Sequence, residues 1–113
     1  MLLDPTDRYL VRIGSIAAIL GALLLFVSTL LHPLGADPDD AVAAFTEYAA
    51  DRLWVASHLG QFLGIAMMVA ALVALSRTLG EGRAAAWSAI GFVGAIASLA
   101  VAASLQAVDG VAR

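Results

Sequence analysis

Cysteine is absent from the 113-residue chain, which removes disulfides, thiolate metal sites and cysteine nucleophiles from consideration. Lysine is absent as well, since all six basic residues are arginine. Charged residues of both signs amount to 13% of the chain, about half the usual share in soluble domains. The net charge is -3, and no basic cluster offers the electrostatic footprint that nucleic acid requires, so nucleic acid is not an expected partner. Most informative is where charge is missing. Residues 13–31, 53–75 and 84–108 contain no Asp, Glu, Lys or Arg. Proton relays, voltage sensors and ion-coupled carriers place such groups within the bilayer, and general acid–base catalysis commonly uses paired carboxylates. The spacings H-E-x-x-H and G-x-S-x-G are also absent, so the chain is expected not to be an enzyme.

What is present is apolar, with 62% of residues hydrophobic against about 45–50% in soluble domains. At 1.5 Å rise per residue, about 20 residues cover the hydrocarbon core of a bilayer. Each uncharged run is long enough. The fold expected is an all-α membrane protein, a single transmembrane domain over 1–113 with spans at about 10–32, 53–76 and 84–108. The first run follows Arg8 and Arg12 as a signal peptide would, but it exceeds the usual h-region and lacks a small-x-small cleavage site. Arg77, Gly80, Glu81, Gly82 and Arg83 form a short polar loop, making spans two and three an antiparallel hairpin.

The connection between spans one and two is longer. Asp37 reads as an N-cap, Pro38 as the first helical residue, and Asp39 and Asp40 as acids favoured by the helix dipole. Val42, Phe45 and Ala49 then recur at helical spacing, which predicts a short amphipathic extracytoplasmic helix at about 38–51, lying on the membrane surface or against the spans. Three crossings put Arg8, Arg12, Arg77 and Arg83 on one side, with Arg52 and Arg113 on the other. The positive-inside rule places the four-arginine side, and the N-terminus, in the cytoplasm. Tyr9 and Trp87 would then mark the inner interface, with Tyr48 and Trp54 at the outer one.

Helices in lipid associate through close backbone approach at small residues. Span two offers Ala56, Gly60 and Gly64 at four-residue spacing, span one Gly14, Ala18 and Ala22, and span three Gly91 with Ala95 and Gly94 with Ser98 and Ala102. Alanine is abundant enough to generate some such spacings by chance, whereas glycine carries a helix-propensity cost that packing has to offset. The intramembrane serines and threonine can return a hydrogen bond to their own helix. His58 and Gln61 are harder to accommodate, because they share one helical face inside the bilayer and need protein partners. The bland reading makes them packing glue. The sharper one pairs His58 with His32, near the same membrane face, as axial ligands of a b-type haem. No cofactor is the expectation, with haem its alternative, and no metal ligand set stands out.

The stretch VASHLGQFLGIAMMVAALVAL at 55–75 and the ending QAVDGVA resemble the N-terminal half of uncharacterised bacterial multi-pass membrane proteins, a domain-of-unknown-function family of about six spans. The resemblance implies a bacterial inner (plasma) membrane location and a chain that is a short or truncated version of a longer protein. It supplies no catalytic residues. The residues together suggest a non-enzymatic protein that acts through helix packing, as a small subunit of a larger membrane assembly or as a self-associating bundle. Its partners would be membrane lipid and further copies or other membrane subunits. A passive pathway or pocket for a small apolar molecule or lipid is the remaining alternative.

Overall fold

The structure, a computed structural model, describes residues 4–111, with side chains through Asp109. Arg113, counted in the charge reading, lies outside the described residues. Four helices follow one another: α1 (Pro5–Leu30), α2 (Ala41–Ala50), α3 (Trp54–Thr78) and α4 (Gly82–Val111). The three long helices have 26, 25 and 30 residues, so each is about 37–45 Å long at 1.5 Å per residue. All three are long and apolar enough to cross a membrane.

Local chemistry explains the helix ends. Pro5 opens α1, where its missing N–H costs nothing because the first turn has no intrahelical acceptor. The helix closes with Leu31 N donating to Val27 O and His32 N to Thr29 O. Pro33 then disfavours helical geometry at His32. The start of α2 differs from the sequence expectation, because Asp40, not Asp37, is the N-cap, and its carboxylate accepts from Ala43 N at 3.0 Å. The Asp37 carboxylate instead accepts from Asp39 N at 3.0 Å, and Asp40 N donates to Asp37 O. Aspartate thereby stabilises a turn in place of a first helical turn, the local competition that favours Asp in both settings. At the first residue of α4, Gly82 has φ of 59°, a conformation costly for any residue with a Cβ.

α3 packs against both α1 and α4, which lie on either side of it, and among the described residues α1 and α4 have no substantial contact with each other. The α1–α3 pair is antiparallel and very close. A Cβ added to Gly14 would stand 2.7 Å from Ala74 Cβ, and one at Gly21 would stand 2.8 Å from Gly64 O. At the other end, a Cβ on Gly60 would collide with the Ser28 hydroxyl. Gly14, Gly21 and Ser28 are the buried residues of α1 and lie seven apart. That spacing explains why Ala18 and Ala22 do not form the α1 seam with Gly14. A step of four residues rotates about 40° around a helix, whereas seven residues drift only about 20°. Ala22 is exposed and Ala18 half-buried.

The same period recurs on α4, where Ala95 and Ala102 are buried. Few large apolar side chains are covered. Ile16, Leu23, Phe26, Leu59, Leu72, Ile90, Val93 and Val101 all face outward. Water would not tolerate so much apolar surface on a small chain, and lipid does. The protein is membrane-spanning.

Candidate functional site

The polar and aromatic residues gather at the end of the spans where α1 stops, α2 lies and α3 begins. His32 sits in the bend after α1, Tyr48 in the last turn of α2, and Trp54 and His58 on the first turns of α3. Helical spacing alone puts Trp54 and His58 on one face. Their rings lie 4.2 Å apart centre to centre, Tyr48 stacks on Trp54 at 4.3 Å, and His32 is 5.1 Å from both Trp54 and His58. Phe45 reaches the edge of Tyr48 at 6.0 Å.

Backbone contacts orient this cluster. Glu47 accepts from Gly35 N at 3.0 Å and Ala36 N at 2.8 Å, tying α2 to the segment that carries His32. Trp54, only 2% exposed, donates its indole N–H to Asp109 O at 3.0 Å. That carbonyl lies near the C-terminal end of α4, where helix carbonyls run out of intrahelical donors. Trp54 thus joins the start of α3 to the end of α4. Expected to mark the outer interface, Trp54 is in addition a packing residue, a buried indole with a hydrogen-bond partner. Trp87 is 72% exposed and Tyr9 also faces outward.

Both imidazoles have one nitrogen committed. His58 Nδ1 lies 2.7 Å from Trp54 O, and His32 Nδ1 lies 2.9 Å from Pro33 O. A carbonyl oxygen can only accept, so Nδ1 is the donor in both rings, and in the neutral tautomer that satisfies this contact the lone pair is on Nε2. His58 is 4% exposed. Ser57, also buried, donates to the same Trp54 carbonyl at 2.9 Å.

The structure separates His58 from Gln61, which sequence reasoning grouped together. Gln61 Oε1 accepts from Gln106 Nε2 at 3.0 Å, linking α3 to α4, while Gln106 Oε1 is buried with no partner among the described residues. Gln106 was not singled out from sequence as Gln61's partner. A signal existed, because in an antiparallel hairpin residues roughly equidistant from the turn meet, and Gln61 and Gln106 stand at nearly equal distances from Gly82. The remaining small residues divide between the helices. Gly60 and Gly64 face α1, Ala95 is buried, and Ala56 and Gly91 are exposed, with open space beside Gly91. Most intramembrane hydroxyls bond back to their own helix, as Thr29 does to Leu25 O and Ser98 to Gly94 O. Ser88 instead reaches Ser76 O on α3 at 3.1 Å.

The histidine spacing bears on haem. Two imidazoles on opposite sides of one iron would stand about 6 Å apart between ring centres, given metal–nitrogen bonds of ~2 Å. At 5.1 Å and inclined by 52°, His32 and His58 as they stand are too close to hold a porphyrin between them. Among the described residues, no three or more His, Cys, Asp or Glu side chains converge.

No protein family matches this chain, and neither do curated proteins or solved structures.

Proposed function

We propose that this is a non-enzymatic membrane protein that works by helix packing, with the outer face of α4 covered by a second copy of the chain or by another membrane subunit. The observation carrying this reading is the state of the α4 glycines. Gly91 and Gly94 have nothing within 4 Å of an added Cβ, although glycine costs a helix about 1 kcal/mol relative to alanine. On α1 and α3 the same residue type serves close contact, which suggests that the α4 glycines serve a contact outside the chain. The open arrangement, with α1 and α4 on either side of α3, leaves room for such neighbours.

The test is the size of the detergent-solubilised particle, by light scattering or native mass spectrometry, for wild type, Gly91→Leu and Gly94→Leu. A particle larger than one chain that shrinks in either variant supports the reading. A monomeric wild type, with no co-purifying subunit after mild solubilisation, opposes it.

The proposed setting is a bacterial inner membrane with the N-terminus in the cytoplasm, supported by Arg8, Arg12, Arg77 and Arg83 lying near span ends that share one side. Cysteines introduced at Asp39 and Glu81 should differ in labelling by an impermeant reagent applied outside. Labelling at 81 but not at 39 would reverse the topology. A second reading, passive binding of an apolar molecule or lipid, is favoured by a groove of about 340 Å³ between α1 and α3, lined by Val11, Ser15, Ala18, Met68, Leu72 and Leu75.

A further inference from the structure

Neither the glycine seam of α1 and α3 nor the Gln61–Gln106 bond involves the paired imidazoles. We propose that His32 and His58 together bind one divalent transition-metal ion of the zinc, nickel or copper class through their Nε2 atoms. The inference stands whether or not the helices self-associate.

Three observations converge on the pair. The first is the protonation pattern, because each Nδ1–H is held by a main-chain carbonyl, at 2.9 Å for His32 and 2.7 Å for His58. A main-chain carbonyl that holds the Nδ1–H fixes the tautomer of metal-ligating histidines and leaves Nε2 as the available ligand atom. The second is distance. With a metal–nitrogen bond of ~2.0–2.1 Å, an imidazole centre lies about 3.2 Å from its ion, so two imidazoles at a tetrahedral angle have centres about 5 Å apart. His32 and His58 stand at 5.1 Å. A linear two-histidine site would require about 6 Å on the same reasoning. The third is the surroundings, because Trp54 lies against both rings, at 5.1 Å from His32 and 4.2 Å from His58, and shields one side of the pair from competing water.

Borderline cations are the class that imidazole nitrogen binds best, with copper favoured over nickel and zinc by intrinsic affinity. Calcium and magnesium prefer oxygen ligands and are not expected here. Two protein ligands leave coordination positions for solvent or a small exogenous ligand. Access is through His32, which is half-buried and lies beyond the end of α1.

The position of Trp54 supplies the assay. The chain has two tryptophans, so Trp87→Phe leaves Trp54 as the only indole, excited selectively over the tyrosines at the red edge of the absorption band. The purified protein, with any affinity tag removed, is titrated with Ni²⁺ or Cu²⁺, either of which quenches an indole a few ångströms away. The expected result is saturable quenching of most Trp54 emission at one ion per chain, reversed by chelator, with Zn²⁺ competing. His32→Gln and His58→Gln should each weaken binding at least tenfold. His32→Gln is the deciding variant, since His32 lies outside the helices and its loss should leave helical circular dichroism unchanged. Absence of saturable quenching in the parent, or retention of wild-type affinity in His32→Gln, would overturn the site.

Discussion

Gly21 and Gly64 meet across the α1–α3 crossing with no room for a methyl group on either, since a Cβ built on each would stand 2.8 Å from the carbonyl oxygen of the other. Lipid supplies little hydrophobic drive to bring helices together, so this approach has to be sustained by dispersion and weak polar contacts between backbones. This backbone-to-backbone approach is the fold's sharpest test.

Alanine substitutions should have opposite signs on the two kinds of glycine. Gly21→Ala and Gly64→Ala are expected to destabilise the chain by about 1–3 kcal/mol, the usual range for overpacking. Gly91→Ala meets open space and should be neutral or stabilising by up to about 1 kcal/mol through helix propensity. Thermal unfolding in detergent under conditions that keep the chain monomeric measures the difference. Equal effects at all three positions would show that the close crossing does not carry the stability assigned to it.

The Gln61–Gln106 bond joins α3 to α4 within the apolar region. Replacing either residue by Ala should cost about 0.6–2 kcal/mol, the range for interhelical hydrogen bonds in membranes. The double variant should cost less than the two single changes combined, as for any pair in contact. Additive losses in a double-mutant cycle would mean that the two amides act independently.

Trp54 and Trp87 should report different environments. Removing Trp87 should leave a fluorophore protected from lipid-borne quenchers, because Trp54 is 2% exposed, whereas removing Trp54 should leave one that is readily quenched. Trp54→Phe keeps an aromatic ring but loses the bond to Asp109 O and part of the buried indole volume, for an expected loss of at least about 1 kcal/mol. Equal quenching of the two single-tryptophan proteins would contradict the buried position.

Hydrogen exchange should locate the start of α2. Protection is expected from Ala43, whose N–H is held by the Asp40 carboxylate, and Ala44, whose N–H is held by Asp40 O, through Asp51. Asp40→Ala should weaken this helix by about 1 kcal/mol, a typical N-cap loss. A larger effect from Asp37→Ala would restore the earlier helix start suggested by the residues at 37–40.

Sequence alone determined the number, type and approximate extent of the long helices, because span length and the exclusion of charge are properties of a segment facing lipid and need no knowledge of its neighbours. It also identified glycine as the residue of close approach and drew Gly60, Gly64, His32 and His58 out of an otherwise apolar chain. Which residues meet was decided by tertiary structure. Gly64 could have been left open as Gly91 is, and its burial depends on the register that sets it opposite Gly21. Gln61 turns to Gln106 and not to His58, because the hairpin brings α4 alongside α3 at that level. Trp54 is buried because α2, α3 and the end of α4 converge there, which no local pattern records. The physical difference is one of range. Solvation acts on each segment by itself and is written in composition, whereas register and ring-to-ring contact arise from fitting whole surfaces together, and small differences in that fit select among arrangements that burial alone leaves almost equal.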